Sequence, residues 1–351
     1  MLHLSGFDVN IIPLLLLGLS VGVLSGFTGV GGGFVVTPAL IIMGVPADLA
    51  VGTSLFWVFL NSLAGSIIHR NRGNADVKLG IGLALPALFG VEAGIRLADH
   101  MRRAGMQDVA ILSVSILLMV FIGVYTLVES LKRKTAIDQT EEGKELTFHQ
   151  TTMLAHRLQA VNLPPRVKFP RSGLTISIWI ILALGFLIGI ITGFVGVGGG
   201  FMIVPALTYV VGAPVILAVG SSTVHVVISS FYGGGRYLLS GDVAIPIALV
   251  ILSTSLPGVI FGASATRHAR GVAIKLVLGL IITIVCMGSI IKLTWFLFAK
   301  AVPFLEISAN IVTFTGITLS VLIVTLLQWG AGRREKGKPI PGALTSLFRG
   351  P

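Results

Sequence analysis

The chain has 351 residues, 54% hydrophobic and 11% charged, with 44 glycines and a mean hydropathy of +0.96. Soluble domains carry roughly 25% charged residues, so this composition excludes a soluble globular protein and describes an all-α polytopic membrane protein. The single Cys286 excludes an internal disulfide framework and a cysteine-based metal site. The formal net charge of +11 comes from basic residues flanking apolar segments, which reads as a topology signal rather than a nucleic-acid surface.

The first apolar segment, 11–28, has no basic region before it and runs into a motif that recurs later, so it reads as mature structure rather than a signal peptide. A short apolar run follows at 34–44, then segments at 49–68, 79–98 and 108–129, each near the ~20 residues that cross a hydrocarbon core ~30 Å thick. The stretch 132–173 has eight Lys/Arg against four Asp/Glu and contains Pro164 and Pro165. It reads as a solvated, partly flexible cytoplasmic linker, with contact to anionic lipid as the minor alternative.

After the linker the pattern restarts. Residues 26–40, GFTGVGGGFVVTPAL, match 193–207, GFVGVGGGFMIVPAL, at 11 of 15 positions. The correspondence continues with Gly44 and Gly212, Pro46 and Pro214, Thr53-Ser54 and Ser221-Ser222, Gly90 and Gly258, and Gly94 and Gly262. The chain is therefore a tandem duplication: a first transmembrane repeat at 1–131, the linker at 132–173, a second repeat at 174–295, an extra transmembrane helix at 296–330 and a basic tail at 331–351.

Basic residues decide how the repeats are oriented. With an odd number of crossings per repeat, one side collects the loops 69–78, 132–173 and 266–275 and the tail, which together hold 19 of the 25 Lys/Arg. An even number divides them 14 to 11. Positive charge accumulates in the cytoplasm, so the expectation is two inverted-topology repeats with the N-terminus outside and the C-terminus cytoplasmic. Arg96, Arg102 and Arg103 run against it. The runs 11–28 and 34–44 are either two crossings or a re-entrant hairpin. Inverted repeats are the usual architecture of secondary transporters, with the site near the mid-membrane where interrupted helices meet.

The interruptions fall at Gly29, Gly31, Gly32 and Gly33 and at Gly196, Gly198, Gly199 and Gly200. Each glycine costs a helix roughly 1 kcal/mol relative to alanine, and the exposed backbone must face protein or a water-filled cavity. Freed N–H groups and the start of the next half-helix form an anion site that needs no buried lysine. The competing reading is close helix packing. It applies to Gly18, Gly22 and Gly26 and to Gly185, Gly189 and Gly193, which repeat at intervals of four. Neither a dinucleotide fingerprint nor a Walker lysine is present, so no cofactor is expected.

The duplicated glycine motif with its downstream proline resembles the sulfite exporter TauE/SafE family, also called the toluene sulfonate uptake permease family. The resemblance covers roughly residues 11–295. It implies a multi-pass transporter of the bacterial inner membrane for small anionic sulfur compounds such as sulfite or organosulfonates, coupled to the proton gradient. The linker and the extra helix have no counterpart in the motif.

Other polar residues lie inside apolar segments. The first repeat has Thr53, Ser54 and Asn61 and the second Ser221, Ser222, His225, Ser229 and Ser230; of these Thr53, Ser54, Asn61, Ser221, Ser222 and His225 are candidates to complete an oxyanion's shell. The alternative is that the hydroxyls bond carbonyls one turn back. His225 is the candidate proton carrier or anion contact, since imidazole titrates near neutral pH; its counterpart is Trp57, and a histidine satisfied by a neighbouring hydroxyl is the competing reading. Glu92 and Arg96, one turn apart, read as an intrahelical pair, Lys275 and Lys292 as snorkelling residues, and Asp48 as an N-cap. The expected function is a secondary transporter working by alternating access, with an anionic substrate and the bilayer as partners. The rival from another class is a membrane scaffold that recruits a soluble partner through its basic loop and tail. No arrangement of acids, histidines or nucleophiles supports an enzyme.

Overall fold

The computed structural model describes residues 2–4, 7–28, 31–71, 75–138, 164–169, 172–266, 271–298 and 302–335. Two short antiparallel hairpins, β1 (Leu2–Leu4) with β2 (Phe7–Val9) and β3 (Arg166–Phe169) with β4 (Leu174–Ser177), each precede a long apolar helix. The first repeat contains α1 (Ile11–Thr28), α2 (Gly33–Ile42), α3 (Ala47–Asn71), α4 (Val77–Arg103) and α5 (Gln107–Asp138). The second contains α6 (Ile178–Val195), α7 (Gly200–Pro205) continued by a π-helical turn at Ala206–Val211, α8 (Val215–Leu239), α9 (Ile245–Thr266) and α10 (Gly271–Leu297). The additional helix α11 spans Pro303–Glu335 and packs on α10 and α1.

Among the described residues, α3, α4, α5, α6, α9, α10 and α11 are long and apolar enough to cross a membrane. The 25-residue α8 carries Ser221, Ser222, Thr223, His225, Ser229 and Ser230, all buried, as expected where polar groups must be shielded from lipid. Phe89, Leu117, Phe121 and Ile260 point outward.

Helices break where the sequence demands it. Gly31 and Gly32 have φ of 84° and 73°, and Gly196, Gly198 and Gly199 have φ of 80°, 70° and 76°, a region that side-chain-bearing residues avoid. At 10 residues, α2 is only ~15 Å long, half of a crossing.

Packing between the repeats is reciprocal. The first helix of each repeat lies along the fourth helix of the other, α1 on α9 and α6 on α4. Both contacts run through the glycine stripes: a Cβ at Gly22 would stand 2.2 Å from the Ser255 carbonyl oxygen, and one at the equivalent Gly189 2.3 Å from that of Ala87. These stripes bring backbones together, as small residues do in membrane helices. Helices in equivalent places pair antiparallel. Gly52 of α3 lies against Tyr237 and Asp242, while Gly233 and Gly234 of α8 lie against Leu55 and Phe56. Likewise, Gly123 of α5 faces Ile282 while Cys286 of α10 faces Ile116.

Three expectations about polar residues need correction. First, the 132–173 stretch is not all solvated linker. Helix α5 continues to Asp138, and β3–β4 docks on the protein, burying Phe169 and Ile176 against Leu79, Leu83 and Ile181. Asp76 fastens that hairpin: Oδ2 accepts from Ser172 N at 3.2 Å and Oγ at 2.6 Å, while Oδ1 caps α4 through Leu79 N at 3.2 Å. Residues 139–163 lie outside the described residues. Second, Lys292 does not snorkel. It is 1% exposed, with Nζ 2.8 Å from Glu306 Oε1 of α11 and 4.1 Å from the Trp295 ring centroid; the extra helix, absent from the repeat pattern, supplies its counter-charge. The Lys275 side chain lies outside the described residues. Third, Asp48 sits within the first turn of α3, whose Ala47 N is capped instead by Asp108 Oδ1 at 3.1 Å. Asp48 pairs with Arg102 at 2.7 Å, and Arg102 also holds Asp242 at 3.0 Å, joining the two repeats.

Glu92 does pair with Arg96, at 3.0 Å, and extends to α8 by accepting from Tyr232 Oη at 3.0 Å and Arg236 Nε at 3.1 Å.

Gly189→Val forces a side chain onto the α4 backbone and is expected to cost about 1–3 kcal/mol or more. A cysteine-reactive or light-scattering thermal melt in detergent should show a lowered Tm. Gly65→Ala, at a position with nothing within 4 Å, should leave it unchanged or raised.

Candidate functional site at the paired helix breaks

The two breaks meet in the interior. A Cβ at Gly33 would lie 2.6 Å from the Val197 carbonyl oxygen, and the rings of Phe34 and Phe201, which follow the two glycine triplets, stack at 5.5 Å and 30°. Thr37 Oγ1 donates to the Gly196 carbonyl at 3.3 Å. Both breaks rest on the α3–α8 pair: Val58 stands 2.7 Å from the Cβ position of Gly33 and 2.6 Å from that of Gly198, and its counterpart Val226 stands 3.4 Å from the latter. Gly32 packs against Val21 and Trp57, and Gly199 against Thr192, Ile188 and His225. Gly200 is buried at the start of α7, the Cβ position of Gly31 is 3.8 Å from Ser62 Oγ, and Gly29 lies outside the described residues.

Polar side chains around the first break are paired in sequence. Trp57 Nε1 donates to Ser255 Oγ at 3.0 Å, the Ser255 hydroxyl has acceptors in the Leu252 carbonyl at 3.3 Å and Asn61 Oδ1 at 3.4 Å, and Asn61 Nδ2 donates to Ser25 Oγ at 3.2 Å. Around the second break they are not. His225 is fully buried with neither ring nitrogen bonded, and Thr192 Oγ1, 2.7 Å from the Cβ position of Gly199, is buried without a partner. His225 Cε1 lies 3.6 Å from the same position. Ser54 Oγ is also buried and unpaired. One turn to either side of it on α3 are Val51, which touches the Cβ position of Gly196, and Val58, which touches that of Gly198, so Ser54 shares the face turned to the second break. Buried polar atoms without partners are few in native proteins, and each costs about 1–3 kcal/mol. His225, Thr192 and Ser54 are three such residues, the first two beside Gly199.

The other expected site residues fall elsewhere. Thr53 Oγ1 accepts from Ala244 N at 2.9 Å and the equivalent Ser221 Oγ from Asp76 N at 3.0 Å. These paired bonds tie each third helix to the start of the other repeat's fourth helix. Ser222, Ser229 and Ser230 donate to carbonyls a turn back, the first to Val219 at 2.7 Å and the other two to Val226. Asn61 belongs to the first-break chain. Thr192 was missed, although its signal was present: it and Ser25 are hydroxyl residues immediately preceding the two copies of the glycine motif. Among the described residues no group of three or more His, Cys, Asp or Glu is placed to hold a metal.

Long apolar helices, with two glycine breaks in the interior beside buried polar groups, define a polytopic membrane protein. The chain belongs to the sulfite exporter TauE/SafE family, which matches residues 14–289. It is similar to the probable membrane transporter protein YunE of Bacillus subtilis, 23% identical over 286 residues that cover 79% of this chain and 96% of the relative. A probable membrane transporter protein of Methanocaldococcus jannaschii is 26% identical over 260 residues, 69% of this chain and 81% of its own length. Another from Xylella fastidiosa is 29% identical over 208 residues, 59% and 66% respectively. No solved structure matches. The chain is thus a membrane transporter and not an enzyme.

Paired and unpaired hydroxyls should respond oppositely to isosteric replacement. Thr53→Val orphans the buried Ala244 N–H and is expected to destabilise by about 1–3 kcal/mol, whereas Thr192→Val removes an orphan and should be neutral or stabilising by a similar amount. Thermal unfolding of the two variants in detergent, side by side, checks the sign.

Proposed function

We propose that this transporter is a secondary carrier that moves small sulfur-containing anions, such as sulfite or an organosulfonate, by alternating access. The observation that carries the proposal is the buried His225, unpaired at both nitrogens beside Gly199. An oxyanion presents acceptors only, and an imidazole N–H with the hydroxyls of Thr192 and Ser54 supplies donors. A hydrogen bond to a charged group contributes about 1.5–3 kcal/mol, so a few of them hold an anion while still letting it leave. Protonated His225 donates from both nitrogens and cancels one negative charge, so the anion and a proton are taken up together. The family's description as a sulfite exporter supports the substrate class.

Alternating access rests on the relation between the repeats. The antiparallel pairing of α3 with α8 and of α5 with α10, and the reciprocal contacts of α1 with α9 and α6 with α4, support inverted-topology repeats that rock about the breaks. The distribution of basic residues supports an outside N-terminus and a cytoplasmic C-terminus in a bacterial inner membrane.

Flux in proteoliposomes with sulfite, sulfoacetate and taurine, with and without a pH gradient, tests this reading. At least one anion should move, faster with the gradient. His225→Leu is expected to remove the gradient dependence and lower flux by about 10²-fold or more, the scale set by losing a charge-assisted bond of ~3 kcal/mol. Absence of flux for all three, in protein shown to be folded, overturns it.

A further inference from the structure

The duplication makes every position of one break comparable with its twin, and the two breaks differ in a concerted way. Ser25 corresponds to Thr192, Trp57 to His225, Asn61 to Ser229, and Ser255 to Ala87. The backbone frame is the same on both sides, since Gly22 meets Ser255 as Gly189 meets Ala87. In the first repeat these positions satisfy one another from Trp57 through Ser255 and Asn61 to Ser25. In the second, both intermediate partners are gone. Ala87 has no hydroxyl to meet the ring of His225, and Ser229, too short to act as Asn61 does, bonds the Val226 carbonyl at 3.3 Å. What remains is the unpaired His225 and Thr192.

Resting on the proposed anion-transport function, we infer that the carrier has one ligand site and not two. The anion is held at the second repeat's break by Thr192 and His225, with Ser54 reaching it from the first repeat, and the equivalent place at the first break is filled by the indole of Trp57. Trp57 is wholly buried, and its ring comes within 3.2 Å of the Cβ position of Gly32. An indole exceeds an imidazole by about four heavy atoms, the size of an SO3 group, so side chain and ligand play corresponding parts on the two sides. The ligand class is a small oxyanion that meets hydroxyl and imidazole donors. Trp57, by filling the first break, and Ala87, by offering His225 no hydroxyl, decide which break binds, without themselves touching the ligand.

Single cysteines placed at the twin hydroxyl positions test this. In a Cys286→Ser background, full-length Thr192→Cys and Ser25→Cys proteins in proteoliposomes are treated with 2-sulfonatoethyl methanethiosulfonate, a small sulfonate whose reaction reports thiol access. Although Ser25 is the more exposed of the two, Thr192→Cys should react at least about tenfold faster, because the donors beside Thr192 hold the reagent's sulfonate next to the thiolate that must attack it, while the indole of Trp57 fills the place beside Ser25. Equal rates, faster reaction of Ser25→Cys, or reaction of neither overturns the single-site assignment. This readout needs no transported substrate. Faster labelling of Thr192→Cys together with no flux of any anion would remove the proposed function but leave the one-sided site standing.

A second pair covers loss of folding in either cysteine variant. Ala87→Ser offers His225 the hydroxyl that Trp57 already has and should lower flux of the best-transported anion by about tenfold, the effect of an added competing bond of ordinary strength. Ser255→Ala, acting at the first break, should stay within about twofold of the parent. The reverse ranking overturns the assignment.

Discussion

A helix that breaks inside a bilayer must hide its freed backbone groups from lipid, and this protein hides two breaks against each other. The close approach of Gly33 to the Val197 carbonyl and the stacking of Phe34 on Phe201 place both interruptions at the junction of the repeats, walled by α3 and α8. Once the breaks are there, the polar α8 has an interior to occupy, and the long apolar helices can turn Phe89, Phe121 and Ile260 outward. The glycines serve this arrangement in two ways. Positive φ at Gly196 ends α6, and at Gly32 and Gly199 it sets the starts of α2 and α7, while the absence of a side chain lets the other repeat come within contact.

Reciprocal packing joins the two repeats. Each lends its first helix to the other's fourth, so the stripe at Gly18 and Gly22 and the stripe at Gly185, Gly189 and Gly193 find their grooves only across the duplication. The same reciprocity governs the polar ties. Thr53 holds the start of α9 and Ser221 the start of α4 through matching bonds to Ala244 and Asp76. Symmetry therefore governs the frame, and departures from it concentrate where chemistry is expected. Trp57 faces a saturated network, and His225 faces none.

Asp76 shows how a single buried carboxylate joins several levels. It caps α4, receives the β3–β4 hairpin through Ser172, and is itself tethered by Ser221 of α8, the helix that carries His225. Its twin, Ala244, has no carboxylate to offer the N-terminal hairpin's side. Arg102 is the corresponding link at the opposite ends of these helices, bridging Asp48 and Asp242. Such charged junctions are affordable at helix ends, where water is near, and the buried Lys292 is tolerated only because Glu306 and two aromatic rings accompany it.

Much of this was legible in the sequence. Composition established a membrane protein, the internal match at 26–40 and 193–207 exposed the duplication, and consecutive glycines located the breaks, because backbone conformation at glycine is a local property. The four-residue stripes likewise announced contact surfaces, though not which helix would fill them. Side-chain partnership was another matter. Whether Thr53, Ser54, Ser221 and Thr192 were bonded or free, whether Lys292 reached water, and whether residues 166–177 were linker or docked hairpin all depended on groups tens to hundreds of residues away. A hydroxyl's partner is chosen by distance in space, to which one-dimensional spacing is blind beyond a helical turn. The sequence by itself determined where this chain breaks and repeats; only the tertiary structure, by pairing Trp57 with Ser255 and Asn61 with Ser25 while leaving His225 and Thr192 without partners, decided that its two halves are unequal.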